Sequence, residues 1–123
     1  MPTVTIQTEY LTGAALDWAV AKAAGQLDSV MMTQASHTLI HLDGHGWAPS
    51  TDWSQGAPLI ERFNMMIDKN FEEFSTPEQP WFAQTDFYWG IGQTVLIAIC
   101  RAVVRRQLGD TVNIPEELIN EQS

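Results

Sequence analysis

Gly90-Ile91-Gly92-Gln93-Thr94-Val95-Leu96-Ile97-Ala98-Ile99-Cys100-Arg101-Ala102-Val103-Val104-Arg105-Arg106-Gln107-Leu108-Gly109 decides how the rest of the chain is read. Val95, Leu96, Ile99, Cys100, Val103 and Val104 recur at three- and four-residue intervals, the period of a helix with one buried face. The spacing predicts a helix over about 93–108, opened by glycines and stopped by Gly109 at its C-terminal end. Thr94, Ala98, Arg101 and Arg105 fall on another side of that helix from Leu96 and Cys100.

Outward from this helix the signals are shorter. Trp81 to Trp89 is rich in aromatic residues and reads as a strand. Met65 to Phe71 reads as another, with the polar, proline-containing Glu72 to Pro80 as the loop between them. Pro58 suits the first turn of a short helix near 57–64 that carries Leu59, Ile60 and Phe63, with Glu61 and Arg62 toward its outer face. Trp47 to Pro58 is mostly loop by composition. His37 to Leu42 alternates as a strand does, whereas residues 26–35 are ambiguous, with Leu27, Val30 and Met31 at a weak helical spacing. Thr12 is placed to cap a helix over about 13–24, with Leu16, Val20 and Ala23 on one stripe and Gly25 as its stop. Its many alanines imply an element packed close against it. Met1 to Gln7 reads as a short strand or ordered arm, Asp110 to Ile114 as an edge strand, and Pro115 opens a short acidic tail. The expected fold is α+β. One domain spans 1–123, with a small antiparallel sheet packed against two main helices (about 13–24 and 93–108) and a short helix near 57–64.

Composition narrows the function. The 123 residues are 45% hydrophobic, enough for a core without disulfides or metal. Five tryptophans are a heavy load, and since indoles are seldom fully buried, some should line a surface or pocket. Fifteen acids against six Lys and Arg give a net charge of −9, a field that repels DNA, RNA and anionic membranes. The single cysteine, Cys100, excludes an internal disulfide and reads as a buried, inert thiol. No signal peptide and no membrane-spanning run is legible, so a cytoplasmic protein is expected.

Three constellations carry candidate chemistry. Gly92 and Thr94 stand at a helix start, where free N–H groups and the helix dipole attract an anion, and Arg101 is placed to meet a phosphate there. The plain alternative is a simple turn with solvated arginines, and neither a Walker nor a dinucleotide pattern is present. The second is Trp47, Thr51, Asp52, Trp53, Gln55 and Arg62. Its indole faces can stack on a flat ring while its small polar groups bond hydroxyls and amides. The same residues equally suit a packed loop in which Asp52 caps the next turn. The third is the aromatic stretch of Trp81, Phe82, Phe87, Tyr88 and Trp89, read as core or dimer interface with Trp81 or Trp89 as the exception. His37, His41 and His45 cluster with Asp43, and His41, Asp43 and His45 would share a strand face, but Gly44 and Gly46 break the strand there, so no metal is assigned. No nucleophile–base pair is legible, and no cofactor is expected.

Three blocks of sequence resemble a known family. They are Leu11-Thr12-Gly13-Ala14-Ala15-Leu16-Asp17-Trp18-Ala19-Val20-Ala21-Lys22-Ala23, Pro49-Ser50-Thr51-Asp52-Trp53-Ser54-Gln55-Gly56-Ala57-Pro58-Leu59-Ile60-Glu61-Arg62, and Leu108-Gly109-Asp110-Thr111-Val112-Asn113-Ile114-Pro115-Glu116-Glu117-Leu118. Together they resemble the NinX-like family of bacteriophage and prophage proteins. The resemblance implies an accessory phage protein expressed inside a bacterial host, in its cytoplasm; many such small proteins counter host defence, some by sequestering a signalling nucleotide and others by blocking a defence protein. The residues then support first a non-enzymatic, homo-oligomeric protein that captures a small nucleotide-like ligand. In that reading Trp47, Trp53 and Trp81 wall the base, Thr51, Asp52 and Gln55 bond ribose or base edges, and Arg62, Arg101, Gly92 and Thr94 hold phosphate. The alternative is an inhibitor that docks its acidic surface on a host defence protein. A nucleotide-processing enzyme ranks third.

Overall fold

The structure, a computed structural model, describes residues 3–25, 30–34, 38–42 and 45–120, with residues 30–34, 38–42, 45 and 119–120 as backbone alone. The first strand, β1 (Thr3–Gln7), pairs antiparallel with the late strand β8 (Thr111–Pro115). Val4 faces Ile114 and Ile6 faces Val112, so β1 and β8 together close over the core. Between them α1 (Gly13–Ala23) buries Leu16, Val20 and Ala23, the stripe expected from the sequence, along with Asp17, which the stripe does not contain. Thr12 occupies its N-cap position and Gly25 follows its end with φ of 77°.

β2 (Val30–Gln34), β3 (Thr38–Leu42) and β4 (His45–Gly46) form a second antiparallel sheet. Val30 and Met31 thus lie on a strand rather than at the helical spacing the sequence suggested, and Thr38–Leu42 of the expected 37–42 strand is described as one, His37 lying outside the described residues. Of the histidine cluster, His37 and Asp43 lie outside the described residues and His41 and His45 are described as backbone alone. The loop beyond is tighter than its composition suggested. It holds a single helical turn, α2 (Trp53–Gly56), and then α3 (Pro58–Arg62) opened by its proline.

The third sheet contains β5 (Met66–Lys69), β6 (Trp81–Thr85) and β7 (Tyr88–Gly92) in that order. Here the structure corrects the sequence reading. Trp81 to Trp89 is not one strand but a hairpin, turning at Asp86-Phe87 with Thr85 opposite Tyr88 and Asp86 at φ of 53°. Gly90 and Gly92 lie inside β7, so Gly92 is a strand residue and not part of the helix start expected from the sequence, which begins only at the Thr94 cap. The helix α4 (Val95–Leu108) packs across β6 and β7. Side chains on a strand alternate between faces, so Ala83, Gly90 and Gly92 share the face toward α4. A Cβ on Gly90 would lie 2.6 Å from Ala102 N and 2.7 Å from Ala98 O, and one on Gly92 would lie 2.7 Å from Ile97 Cγ2. The glycines are there because backbone meets backbone. On the opposite face Phe71, Phe74, Phe82 and Trp89 form one stack, with Phe74 and Trp89 centroids 4.2 Å apart. The last described element is α5 (Glu116–Asn120), whose Leu118 is buried. The core joins α1, α4, β8, Leu59 and Phe63. The architecture is mixed α+β, and among the described residues no helix is long and apolar enough to cross a membrane.

Candidate functional site

Asp17 organises the loop that carries most of the sequence-predicted site. Its backbone carbonyl accepts the indole N–H of Trp47 at 2.8 Å, and its carboxylate Oδ1 accepts the Ser50 N–H at 2.8 Å. Burial pushes the Asp17 carboxyl up to about 6, against the lowering pull of the Ser50 N–H and the nearby Ser50 hydroxyl. The hydroxyl lies too far or too bent for a well-formed hydrogen bond, and Ser50 Oγ is buried with no such partner among the described residues. Gln55 closes the same loop from the other side. Its Oε1 accepts the Ala48 N–H at 2.6 Å and its Nε2 donates to Gly46 O at 2.6 Å. Asp52 caps α2, accepting from Ser54 N at 2.9 Å and from Ser54 Oγ at 2.7 Å. Trp47, Asp52 and Gln55 are therefore engaged in building the loop.

What the loop presents is Thr51 and Trp53. They face the start of α4 across an open groove of about 280 Å³, lined by Ser50, Thr51, Trp53, Thr94, Val95, Leu96 and Ile97. Trp53 is 53% exposed, high for an indole, and leaves an aromatic face available at the rim. Thr94 caps α4 by accepting the Ile97 N–H at 3.2 Å. Helix geometry leaves the N–H groups of the first turn without intrahelical acceptors, and the dipole makes that end attractive to negative charge.

The remaining sequence-predicted residues lie elsewhere. Gly92 is buried against α4. Trp81 sits half-buried in β6 opposite Gly92, with the Lys69 ammonium 5.2 Å from its ring. Arg62 donates to Ala24 O at 3.1 Å, tying α3 to the end of α1. Arg101 is only 5% exposed. Its Nε donates to Leu11 O at 3.0 Å, and its Nη1 donates to Ile91 O at 2.8 Å and to Gln79 Oε1. Burial lowers the Arg101 guanidinium from its usual value, opposed by the Glu9 carboxylate. The guanidinium is committed to the fold rather than presented to a ligand. Cys100 is buried, and burial raises its thiol well above the ordinary range, as expected of an inert cysteine. So the structure brings Thr51, Trp53 and Thr94 together and leaves the other seven expected residues in structural roles or on other surfaces.

A second concavity, about 550 Å³, opens where the β6–β7 hairpin meets β1 and β8. It is lined by residues including Glu9, Phe87, Tyr88, Trp89, Arg105 and Asp110. The sequence reading placed its aromatic residues in a core or interface strand and missed Glu9 and Asp110. The only available signal was Asp86, a turn-prone residue inside an aromatic run.

No curated protein matches the chain. A family model described as bacteriophage P22, NinX matches residues 7–107. That span takes in α1, the Trp47–Arg62 segment, the hairpin and nearly all of α4. The chain belongs to the NinX family of bacteriophage proteins.

Proposed function

We propose that this protein captures a small nucleotide-like ligand in the groove between Trp53 and the start of α4, and that it serves the phage in the host cytoplasm by sequestering a nucleotide signal of host defence. The observation that carries the reading is the half-exposed Trp53 indole standing beside the open first turn of a 14-residue helix. A base stacked on an indole contributes about 1–3 kcal/mol whatever its identity. A phosphate at the first turn of α4 would be met by N–H groups and the positive end of the dipole. The hydroxyls of Thr51 and Thr94 flank the same space and suit ribose or base edges.

Arg62 and Arg101 drop out of the phosphate contacts, since both are tied to backbone carbonyls. The groove walls are mostly aliphatic and aromatic side chains, so it favours one ring and one anionic group over a long polyphosphate. The test is thermal shift with a panel of mono-, di- and cyclic nucleotides, followed by denaturation and recovery of the ligand. Intact recovered ligand is expected. Trp53→Ala should abolish the shift and leave the melting point of the free protein within about 0.5 kcal/mol equivalent, since the side chain is half exposed. A panel that gives no shift, or a shift that survives Trp53→Ala, sinks the reading.

A further inference from the structure

The hairpin tip carries a side chain that folding does not explain. Phe87 is 92% exposed, and Tyr88 beside it is 43% exposed. A single exposed leucine would need no account, but a fully exposed phenylalanine at the lip of a groove is a feature of interaction surfaces. The tip is held in place. Arg106 Nε lies 2.9 Å from Asp86 Oδ2, and Gln84 Nε2 donates to Asp86 O at 3.1 Å. Phe87 is thus presented by a braced turn.

The charges around the groove are of one available sign. Its cation, Arg105, is already used. Arg105 Nη1 donates to Trp89 O at 3.1 Å, its guanidinium sits 4.7 Å from the Trp89 ring centroid, and its Nε lies 3.0 Å from Asp110 Oδ1 without pointing its N–H at that oxygen. Asp110 remains largely exposed, and Glu9, exposed and in no ion pair among the described residues, feels only at longer range the buried Arg101 guanidinium, which is committed to backbone carbonyls. The whole chain carries −9. An incoming cation would therefore meet Glu9 and the exposed Asp110, in a groove that Tyr88 also lines.

We propose that this groove is a docking surface for a Lys- or Arg-bearing segment of a partner protein. The occupant must satisfy two neighbouring demands at once, an apolar pocket or side chain over Phe87 and a cation between Glu9 and Asp110. A polypeptide segment carries both, whereas a small polyamine covers only the carboxylates. The surface lies toward the opposite end of α4 from the Trp53 groove, about 15 Å away along the helix, so the two sites succeed or fail separately.

The test uses the full chain and three probes: a synthetic peptide of alternating arginine and leucine, the same peptide with glutamate for arginine, and spermidine. Binding is read by fluorescence anisotropy and mapped by amide chemical shifts. The arginine–leucine peptide should bind, weaken with salt, and shift the resonances of Glu9, Phe87, Tyr88 and Asp110. Phe87→Ala should weaken it about tenfold or more while melting as the parent does. Glu9→Gln should weaken it and flatten the salt dependence. Equal binding of spermidine that ignores Phe87→Ala would reduce the groove to a counter-ion site and overturn the proposal. So would shifts confined to other surfaces, absence of peptide binding, or self-association that Phe87→Ala abolishes, because the occupant would then be a second copy of the chain.

Discussion

The guanidinium of Arg101 reaches from α4 to the carbonyl of Ile91 on the outer edge of β7, with Nη1 and oxygen 2.8 Å apart. One helical turn later Arg105 repeats the contact on Trp89 O at 3.1 Å. Residues four apart on a helix rise about 6 Å, and alternate residues of a strand are separated by nearly the same distance, so the two spacings match. β7 ends its sheet in the order β5-β6-β7, and an unpaired edge invites another strand. Here its outward carbonyls are taken by arginines of the chain's own helix. That fixes the helix to the strand and closes the edge with one device.

Arg101→Met should therefore destabilise the fold strongly. The substitution keeps the length and apolar stem but strands Leu11 O and Ile91 O away from any donor. Each buried acceptor left alone costs about 1–3 kcal/mol, so the loss should be on the order of 3 kcal/mol in urea unfolding. Arg101→Lys should fall between the two, since an ammonium keeps the charge but not the fork. A methionine variant as stable as the parent would show that these bonds contribute nothing net.

Asp17 predicts a pH dependence of defined sign. Its carboxyl titrates at about 6 in the folded protein against 3.8 in the unfolded chain. The folded state thus holds that proton more tightly, so the associated stability is fully present below 3.8 and is lost as pH rises through about 6. A shift of about 2 units corresponds to about 3 kcal/mol at most. Asp17→Asn keeps an oxygen for the Ser50 N–H but cannot ionise. Urea unfolding of parent and variant should give similar stability near pH 4, with the variant ahead near pH 7.5. A difference that does not change with pH would mean that Asp17 titrates normally.

The sequence made the helices legible and hid most of what joins them. α4 could be read because six apolar residues keep a helical period over it, and α1 because alanines and Gly25 bracket one stripe. The hairpin was obscured because a phenylalanine stands where glycine or asparagine usually marks the turn, leaving Asp86 as the sole cue. Asp17 was overlooked because an acid on a helix is ordinarily solvated, and its partners Trp47 and Ser50 lie 30 and 33 positions away. A helical wheel put Arg101 and Arg105 on one side of α4 but could not say that a strand edge lay there. Thr51, Trp53 and Thr94, which line one groove, could be picked out because loop aromatics and helix caps carry local signals. Glu9 and Asp110 were not, because they meet only through the pairing of β1 with β8.

A close approach of backbone to backbone gives a last test. Gly90 leaves no room for a methyl group, since a Cβ there would sit 2.6 Å from Ala102 N, 2.7 Å from Ala98 O and 2.9 Å from Arg101 Cβ. Two of these are backbone atoms of α4 and cannot swing aside, so Gly90→Ala must push the helix off the strand. Overpacking of this kind costs about 1–3 kcal/mol. Gly46→Ala is the control, because nothing lies within 4 Å of its added carbon, and it should change stability by less than about 0.5 kcal/mol. The displacement also stretches the Arg101–Ile91 contact, which spans the same gap. Gly90→Ala and Arg101→Met should therefore be non-additive, the double variant losing less than the sum of the singles. Strict additivity in urea unfolding would mean that the arginine bond does not depend on how closely α4 lies on β7.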